Sequence, residues 1–462
     1  MAVKTLADVR NKSLLRNQGF IDGRWVDAIS GRTFDVVDPA SLDKLASIPE
    51  MGTEDTVAAV EAAHSAFKTF KDTTARERAR LLRRWNDLCL QNIEDLALIL
   101  SLENGKTLAE ARGEVVYGAS FIEWFAGEAE RSMIQHPEIA PANGTKAAGC
   151  TTVWKPAGET PLSALAQAVL ALEAGIPAGA INVVTTMDLV AKVGTELCTN
   201  KLVKKLSFTG STRVGKMLMT QCASNVKKMS MELGGNSPLL VFDDAQIGVA
   251  VEVCILAKFR NSGQTCVTAN RIFVQSAIYD EFAAALTRRI KDLKVGPGTE
   301  EDVFIGPLTH DKAVDKAMRH IKSATDLGAK VILGGGPMPE KHGYFLQPTV
   351  LTNMNSTMLT THEEVFAPVV PLYRFDTEEE VIEKANDCDV GLGGFVVTSD
   401  ISRSWRVTEK LEVGMVGVNL GSLSACENPF GGVKESGFGR EGGRHGIDEY
   451  MAVKSMFINV ST

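Results

Sequence analysis

Two short stretches of the chain contain residue types that could carry out covalent chemistry. Cys266 follows a Gly-Gln-Thr turn in F-R-N-S-G-Q-T-C-V-T-A-N, residues 259–270, and Glu232 precedes a glycine pair in M-E-L-G-G-N-S-P, residues 231–238. A cysteine on a tight loop can act as a nucleophile, and a carboxylate at a strand end can act as a general base. The backbone N–H groups of such a turn would also favour the thiolate form of Cys266.

Each of these residues also has an ordinary structural interpretation. The chain has eight cysteines, and a lone cysteine is usually a small buried apolar residue. A lone glutamate at a strand end is often a surface carboxylate. No two cysteines form a C-x-x-C pair, so we expect neither a zinc site nor a disulfide framework, and no metal is predicted. The sequence around Cys266 and Glu232, rather than their residue types, therefore carries the hypothesis of catalysis.

Two further motifs could bind a nucleotide. The stretch F-T-G-S-T-R-V-G, residues 208–215, leaves a predicted strand and begins a helix with small residues, which suits a phosphate at the helix N-terminus. It is not a G-x-G-x-x-G fingerprint, so this signal is weak by itself. Lys155, in V-W-K-P-A-G-E-T-P of residues 153–161, could bind ribose or phosphate oxygens. Taken alone, an ordinary exposed lysine is the simpler interpretation.

Alternating strands and helices must position these motifs. Predicted strands in the first half lie at 151–154, 181–185, 205–208 and 228–233, with helices at 162–174, 189–198 and 212–224 between them. The second half repeats the pattern, with strands near 239–242, 271–275 and 330–333 and helices near 280–293 and 311–327. This alternation is typical of parallel sheets with helices on both faces. We expect two α/β domains that meet near residue 234.

Helices are predicted to precede the first of these sheets. Thr53 is expected to cap a helix that runs to about Phe70, because apolar residues recur there at helical spacing. Further helices are expected over 74–102 and 108–131, the first with a buried apolar stripe. The first half is therefore expected to contain these helices in addition to the ones that alternate with its predicted strands.

Size and composition narrow the class of protein. The chain has 462 residues, of which 44% are hydrophobic, as in a globular protein with a large core. The net charge of -8 argues against a nucleic-acid partner. No run of 18 apolar residues is present, so no membrane span is expected. The N-terminus lacks the apolar core of a secretory signal, which favours a cytoplasmic location, although its spaced basic residues leave a mitochondrial location open.

Taken together, the motifs resemble those of the aldehyde dehydrogenase superfamily. F-T-G-S, E-L-G-G-N-S-P, G-Q-T-C, E-E-V-F-A-P and P-F-G-G-V-K-E-S-G-F-G-R-E occur in the family's order, and the resemblance covers nearly the whole chain. Within the family, the chain is most similar to the succinate-semialdehyde dehydrogenase branch. The stretches that carry this are F-I-E-W-F at 121–125, K-F-R-N-S-G-Q-T-C at 258–266, and G-R-E-G-G-R-H-G-I-D-E-Y near the C-terminus.

The resemblance implies an α/β fold with two Rossmann-like parallel-sheet domains and a small oligomerisation arm. The NAD(P)-binding domain would comprise residues 1–130 and 150–233, and the catalytic domain residues 234–450. The arm would comprise residues 131–149 and 451–462, with an alternating C-terminal strand at 453–460. The family assembles as dimers or pairs of dimers, so a homodimer or homotetramer is expected. A shortened arm hairpin makes the tetramer the less expected of the two.

The resemblance also implies roles for individual residues. Cys266 would attack the aldehyde carbon to give a thiohemiacetal, hydride would pass to the nicotinamide of NAD or NADP, and Glu232 would activate the water that hydrolyses the thioester. Arg260 and Ser424 would hold a carboxylate on the substrate, for which a guanidinium is well suited. The implied cofactor contacts are Lys155 to the adenosine ribose, Gly210 and Ser211 to the pyrophosphate, Glu364 to the nicotinamide ribose, and Phe366 beside it.

One segment of the family pattern is missing from this chain. In the family, a strand that ends in P-W-N-F-P precedes the strand of Lys155, and its asparagine supplies half of the oxyanion hole. This chain contains no P-W-N. Roughly thirty residues would be absent, including a central strand, that asparagine and a further substrate arginine, which is far more than ordinary loop variation. Loss of one oxyanion donor typically costs about 10²–10³ in rate, so we expect lower activity than in relatives unless another segment repairs the fold.

The leading hypothesis is therefore oxidation of an aldehyde to a carboxylic acid with NAD or NADP, most plausibly of succinate semialdehyde to succinate. Gly158 stands where relatives carry glutamate for NAD or a small polar residue for NADP. Because Gly158 has no carboxylate that could repel a 2′-phosphate, we expect NADP to be tolerated. The carboxylate of the adjacent Glu159 could reverse this preference. The alternative hypothesis is a catalytically impaired or non-catalytic relative that binds nucleotide or assembles with partner subunits.

Overall fold

A computed structural model describes residues 4–135, 149–452, 455, 457 and 459 of the chain. Its helices are α1 (Thr53–Phe70), α2 (Ala75–Gln91), α3 (Ile93–Asn104), α4 (Leu108–Gln135), α5 (Leu162–Glu173), α6 (Val190–Thr199), α7 (Thr212–Cys222), α8 (Ile247–Phe259), α9 (Tyr279–Lys291), α10 (Asp311–Asp326), α11 (Leu359–His362), α12 (Glu378–Asn386), α13 (Ile401–Lys410) and α14 (His445–Asp448). Its strands are β1 (Gly19–Ile21), β2 (Arg24–Val26), β3 (Thr33–Val37), β4 (Lys44–Pro49), β5 (Thr152–Trp154), β6 (Ile181–Val183), β7 (Lys205–Thr209), β8 (Lys228–Glu232), β9 (Ser237–Val241), β10 (Ala269–Gln275), β11 (Lys330–Leu333), β12 (Thr349–Thr352), β13 (Val369–Phe375), β14 (Val390–Gly391), β15 (Gly393–Val397), β16 (Met415–Val418), β17 (Val433–Lys434) and β18 (Gly437–Phe438).

Two predicted helix boundaries differ in the structure. Thr53 is the first residue of α1 rather than its cap, and the cap is Gly52, whose N–H donates to the Asp55 carboxylate at 2.8 Å. The helix predicted over 74–102 is divided into α2 and α3 at Asn92. The Asn92 side chain donates back to the last turn of α2. An asparagine that bonds to nearby backbone in this way competes with continuation of the helix.

The second half of the chain forms a seven-stranded sheet in the order β11-β12-β13-β10-β9-β15-β16. Neighbouring strands are parallel except for β11 and β12, which are antiparallel. The central strands β9 and β10 are buried along nearly their whole length, as expected where helices cover both faces of a parallel sheet. Helices α8 and α9 pack on one face, and α10, α12 and α13 pack on the other. This sheet is the rigid base of the region around Cys266.

Within the described residues, the parallel strands of the first half lie in two separate sheets rather than one, in the orders β2-β1-β6-β5 and β18-β8-β7, and β3 and β4 form a third, two-stranded sheet. Strand β5 runs parallel to β6, and β7 runs parallel to β8. Within the described part of the chain, β5 and β7 have no strand on their other side. Val153 of β5 and Leu206 of β7 nevertheless pack against one apolar cluster, which includes Val60, Val193 and Leu197. The two free edges therefore share a layer of helices but no hydrogen-bonded ladder.

The two halves of the chain are tied together by a short strand. Strand β18 pairs antiparallel with β8, so a segment of the second half completes a sheet of the first. The predicted boundary near residue 234 falls between β8 and β9, which belong to different sheets. The predicted arm, residues 131–149 and 451–462, lies largely outside the described residues, as does most of the predicted strand at 453–460, so a homodimer or homotetramer stays a prediction. No helix of the described chain is long and apolar enough to cross a membrane.

Candidate functional site

The loop that carries Cys266 begins with a strained turn at the end of α8. Asn261, Ser262 and Gly263 adopt left-handed backbone conformations in succession, with φ of 49°, 57° and 81°. Such conformations are costly for residues other than glycine, and they cluster at functional sites. The turn is held by the Asn261 N–H, which donates to Oε1 of Glu110 at 2.6 Å. The backbone around Cys266 is thus fixed by a contact from the first half of the chain.

The glycine pair that follows Glu232 lies against this loop. A Cβ placed on Gly235 would overlap the carbonyl oxygen of Cys266, so the two backbones touch where only glycine leaves room. The Gly235 N–H also donates to Oε1 of Glu364 at 3.3 Å. The end of β8, the loop of Cys266 and the turn of Glu364 therefore meet at one point. The close backbone approach indicated by the glycine pair is present in the structure.

Glu232 is the last residue of β8, and its side chain is buried. Its Oε2 has no hydrogen-bond partner among the described residues. Burial, together with the neighbouring carboxylate of Glu441, raises the pKa of the Glu232 carboxyl to about 8, against the opposing charge of Arg440. A carboxyl whose pKa lies near the operating pH is suited to general acid–base chemistry. The unpartnered oxygen leaves an acceptor free for a water molecule or a proton.

The surroundings of Cys266 favour the neutral form of its thiol. Burial raises the pKa of the thiol to about 12, and the negative charges of Glu364 and Glu232 add to the effect. The N–H groups of Cys266 and Val267 oppose it but do not outweigh it. The N–H groups of the turn therefore favour the thiolate, as expected, but burial and the two carboxylates outweigh them and favour the neutral thiol. The same interactions place Glu232 and Cys266 within each other's electrostatic field.

Lys155 lies immediately after β5, at the carboxyl end of a parallel strand. Its amine donates to the carbonyl of Pro156 at 2.8 Å. Burial lowers the pKa of the amine, and the carboxylates of Glu159 and Glu50 oppose this. The ammonium group has three donors, so donors remain for the hydroxyl groups of a ribose. Lys155 is thus placed where a nucleotide could be held.

Gly210 and Ser211 form the turn between β7 and α7. The Ser211 hydroxyl accepts from the Val214 N–H at 3.4 Å and caps the helix. The Gly210 N–H donates to the backbone carbonyl of Glu232 at 3.0 Å, which connects this turn to the end of β8. The remaining N–H groups of the first helical turn are the kind of donors that hold a phosphate. This turn and Lys155 follow the two strands whose edges are free.

Glu364 and Phe366 lie on the turn that follows α11. Burial raises the pKa of the Glu364 carboxyl to about 7, while Lys316, the Gly235 N–H and Lys258 oppose this. Phe366 has a left-handed backbone with φ of 59°. An amine, a helix N-terminus and a buried carboxylate are the donors and acceptors that a dinucleotide requires, so the residues present fit such a cofactor.

Arg260 and Ser424 are brought together by a residue that the sequence analysis did not single out. Tyr117 of α4 hydrogen-bonds through its side chain to Ser424 and lies in the electrostatic field of Arg260, while burial raises the pKa of its phenol. The ring of Phe121, one helical turn later, packs edge-on against Tyr117 with 4.8 Å between ring centroids. Helical spacing of aromatic residues just before F-I-E-W-F was the signal that could have revealed Tyr117.

The described residues contain no group of three or more His, Cys, Asp or Glu side chains that could hold a metal ion. All eight cysteines are free. Several of them, including Cys89, Cys198 and Cys254, are buried and have thiol pKa values raised by desolvation. The nucleophile candidate therefore differs from these cysteines in its partly exposed position on a strained loop rather than in its acidity.

Comparison with known proteins identifies one family over most of the chain. The model of the Aldehyde dehydrogenase family matches residues 25–147 and 138–456. Succinate-semialdehyde dehydrogenase (NADP(+)) of Escherichia coli strain K12 is 46% identical over 483 positions, covering 98% of this chain and 100% of that protein. 3-Sulfolactaldehyde dehydrogenase of Pseudomonas putida is 48% identical, covering 97% of this chain and 98% of that protein. The crystal structure of succinate-semialdehyde dehydrogenase from Burkholderia pseudomallei matches with a TM-score of 0.91 at 46% identity, covering 96% of this chain and 98% of that one.

These comparisons also bear on the segment that the sequence predicts to be missing. The alignment with the Escherichia coli protein extends over 483 positions, more than the 462 residues of this chain. The family match consists of two parts that overlap at residues 138–147, between α4 and β5. The loss of a segment before β5 stays a prediction. The predicted α/β fold class and the predicted family are confirmed. The chain belongs to the aldehyde dehydrogenase family.

Proposed function

We propose that this chain oxidises an aldehyde that carries a distal carboxylate, with succinate semialdehyde as the best-supported substrate and NAD or NADP as the oxidant. The observation that carries the proposal is the meeting of Cys266 and Glu232 across the Gly235 contact, beside the turn that begins at Arg260. Family membership supports the reaction. The names of the relatives specify succinate semialdehyde and 3-sulfolactaldehyde. Both molecules carry an acidic group away from the aldehyde, which supports an acidic substrate here.

The chemistry follows from the positions of these side chains. The sulfur of Cys266 forms a bond to the aldehyde carbon, and the thiol proton leaves to a base. Because burial holds the thiol pKa near 12, loss of this proton is part of the first step rather than a resting condition. A bound NAD or NADP would supply the oxidant, so the hydride on the same carbon would pass to its nicotinamide and leave a thioester on Cys266. Ionised Glu232 then takes a proton from water, which attacks the thioester and releases the acid and the thiol.

Arg260 and Ser424 are proposed to hold the substrate carboxylate, with Tyr117 fixing Ser424. Two N–H groups of a guanidinium can bind both oxygens of a carboxylate, which sets the orientation of the chain that ends in the aldehyde. Lys155, Gly210, Ser211, Glu364 and Phe366 are proposed to hold the cofactor. Their contacts in the structure leave donors and an acceptor for a ribose and a pyrophosphate, as described above.

We infer that NADP is accepted as well as NAD. A Cβ placed on Gly158 would lie 2.7 Å from Sδ of Met187. This packing disfavours a side chain at the position where relatives carry a glutamate. No carboxylate therefore repels a 2′-phosphate from Gly158 itself. Glu159 lies in the electrostatic field of Lys155, so its charge is partly balanced there.

The interrupted sheet of the first half favours a slow enzyme. The segment missing before β5 would have carried one oxyanion donor, whose removal costs about 10²–10³ in rate. The family members found by comparison are named as dehydrogenases, and Cys266 and Glu232 are both retained. The non-catalytic alternative is therefore less favoured, but a reduced turnover is expected.

A pair of aldehydes of equal length tests the substrate class. Succinate semialdehyde and butanal differ only in the distal carboxylate, and reduced nicotinamide formed from each is measured for the wild type and for Arg260→Met. Loss of a charge-assisted contact worth about 1.5–3 kcal/mol should raise KM for succinate semialdehyde about 10- to 100-fold. KM for butanal should be unchanged. Equal effects on both aldehydes, or a wild type that prefers butanal, would overturn the proposed substrate class.

A further inference from the structure

Glu110 of α4 is a carboxylate that the proposed reaction does not use. Its Oε1 accepts the Asn261 N–H at 2.6 Å, and its Oε2 accepts from the N–H and the hydroxyl of Thr107 at 3.3 Å and 3.2 Å. Hydrogen bonds from a backbone N–H to a carboxylate are short and strong, since the acceptor carries a charge. The carboxylate therefore joins the first turn of α4 to a residue that lies 151 positions later in the chain.

The turn that this carboxylate holds is strained, and other contacts fix it on its remaining sides. Asn261 and Ser262 have left-handed backbones although neither is glycine, and such conformations persist only where the surroundings fix them. The Ser262 hydroxyl donates to the carbonyl of Gly306 at 2.9 Å. A Cβ placed on Gly263 would lie 2.4 Å from the carbonyl oxygen of Ala367, so this side packs backbone against backbone. Without the carboxylate, the N–H of Asn261 would lose its acceptor and the turn would lose one of these contacts.

Helix α4 is anchored firmly enough to act as a brace for the turn. At its start, the Leu108 N–H donates to the carbonyl of Gly298 at 2.9 Å. A Cβ placed on Gly298 would lie 2.1 Å from the carbonyl oxygen of Lys106, so these backbones touch and the start of α4 has no room to slide. Further along the helix, Nε1 of Trp124 donates to the carbonyl of Gly443 at 3.1 Å. The carboxylate is therefore carried by a helix that is fixed to the second half of the chain at two places.

The two ends of the loop between Arg260 and Cys266 are held by different contacts. Arg260 directly precedes Asn261, so Glu110 acts on the arginine end of the loop. The cysteine end is held by the contact between the Cys266 carbonyl oxygen and Gly235. Loss of the Glu110 contact should therefore move the guanidinium relative to the sulfur, and should leave the sulfur in place.

The separation between the guanidinium of Arg260 and the sulfur of Cys266 decides which acidic aldehydes fit. Such a substrate must reach both groups at once, with its carboxylate on the guanidinium and its aldehyde carbon at the sulfur. A guanidinium can hold a carboxylate in a fixed, bidentate geometry, and a displacement of about 1 Å at a reacting centre can cost 10²-fold in rate. A rigid separation therefore favours one chain length, whereas a loose one would tolerate several.

We propose that Glu110 is a positioning residue that sets the chain-length preference for acidic aldehydes, because it holds the turn next to Arg260 and thereby fixes the separation between Arg260 and Cys266. This inference rests on the proposed function, since it assumes that Arg260 holds the substrate carboxylate. Glu110 contacts the turn rather than the substrate. Its effect is therefore confined to substrates that use Arg260, and the oxidation of an aldehyde without a carboxylate should be insensitive to it.

Three aldehydes test this proposal: succinate semialdehyde, glutarate semialdehyde, which is one methylene longer, and butanal, which has no carboxylate. Dissociation constants of the first two are measured by calorimetry in a Cys266→Ala background, and kcat/KM for all three is measured with NADP in the active chain. The wild type should prefer succinate semialdehyde over glutarate semialdehyde about 10-fold or more, the usual effect of one methylene. Glu110→Ala should lower kcat/KM for succinate semialdehyde about 10- to 100-fold, and the preference should largely disappear. The value for butanal should be unchanged.

Two further variants separate this role from a structural one. Glu110→Gln keeps an oxygen acceptor for the Asn261 N–H but loses the charge, so it should show the same pattern with a smaller loss. Glu123→Ala removes an exposed carboxylate from the same helix and should match the wild type. If Glu110→Ala does not fold, Glu110→Gln is used in its place, with a loss expected for the carboxylated aldehydes alone.

The outcomes distinguish this inference from the proposed function. Equal losses with all three aldehydes would indicate a merely structural role for Glu110 and would overturn the inference. An unchanged chain-length preference in a folded Glu110 variant would overturn it as well. No binding of succinate semialdehyde to the Cys266→Ala protein would overturn the proposed function too, whereas binding without any chain-length preference would overturn this inference alone.

Discussion

Gly235 and Cys266 touch through their backbones, so closely that a Cβ on Gly235 would overlap the Cys266 carbonyl oxygen. Gly235 lies three residues after Glu232, and Cys266 lies on the loop that follows α8. The contact therefore joins the segment between β8 and β9 to the loop that carries the proposed nucleophile. It also explains how the Glu232 carboxylate, at the end of β8, and the Cys266 thiol, on the loop before β10, come close enough to interact electrostatically.

Replacement of Gly235 by alanine tests whether this contact sets the position of the thiol. The added methyl must displace the loop of Cys266, and a shift of about 1 Å at a reacting centre can cost 10²-fold in rate. We expect Gly235→Ala to lose at least about that much aldehyde oxidation. The matched control is Gly248→Ala in α8, where a Cβ meets nothing within 4 Å. The control should keep full activity and gain up to about 1 kcal/mol in stability, as measured by thermal unfolding.

The raised pKa of Glu232 predicts the pH dependence of the hydrolytic step. The pKa of its carboxyl is raised to about 8. Below that pH the carboxyl is mostly protonated and cannot accept a proton from water. The turnover number should therefore rise about tenfold per pH unit up to pH 8 and level off above it. A flat profile between pH 6 and pH 8, measured in steady state, would argue against Glu232 as the base.

Glu232→Gln should separate the two halves of the reaction. The amide cannot deprotonate water, so hydride transfer should occur once and hydrolysis should fail. We expect a burst of reduced nicotinamide, at most equal to the enzyme concentration, and a steady-state rate lowered about 10²–10⁴-fold. Mass spectrometry should then find the acyl group on the peptide that contains Cys266. Unchanged steady-state turnover would remove Glu232 from the mechanism.

The free edges of β5 and β7 predict uneven protection of the backbone. Each has a hydrogen-bonded neighbour on one side only within the described chain. Amides without a ladder partner exchange with solvent at low opening energies. Hydrogen–deuterium exchange should therefore be faster in peptides that cover 152–154 and 205–209 than in those that cover β10, which is paired on both sides. Equal protection would mean that another strand occupies the gap in solution.

Restoring the missing segment tests why the sheet is interrupted. A chimera would replace residues 132–149 with the corresponding longer segment of the Escherichia coli relative. Recovery of an oxyanion donor should raise the turnover number about 10²–10³-fold. Hydrogen–deuterium exchange at residues 205–209 should also be slower in the chimera than in the original chain. A folded chimera with an unchanged rate would show that this chain already supplies the missing donor.

The sequence allowed the family, the fold class and the candidate nucleophile to be predicted, because the ordered motifs around Cys266 and Glu232 are specific. The absence of a P-W-N motif is visible in the sequence too, and the separate sheets of the first half agree with the prediction of a missing strand. The ionisation of Cys266 was not predictable from the loop. The pKa of this thiol depends first on burial and then on the carboxylates of Glu364 and Glu232, and all of these are set only in the folded chain.

Tyr117 and Lys258 were missed for a similar reason. Each belongs to an ordinary helical pattern in sequence, and its partners lie far away along the chain. Tyr117 meets Ser424, and Lys258 meets Asn270, only after the sheets and helices have packed. The helix division at Asn92 was also missed, since asparagine is tolerated within many helices and its local hydrogen bond is set by the backbone.

The central claim is that this chain oxidises an aldehyde through the thiol of Cys266. The most direct measurement is formation of reduced nicotinamide from succinate semialdehyde and NADP by purified wild type and by Cys266→Ala at equal concentration. We expect a measurable rate in the wild type that falls to background in the variant, with both proteins folded and monodisperse. An equal rate in both proteins, or no rate in a folded wild type that binds NADP, would contradict the account.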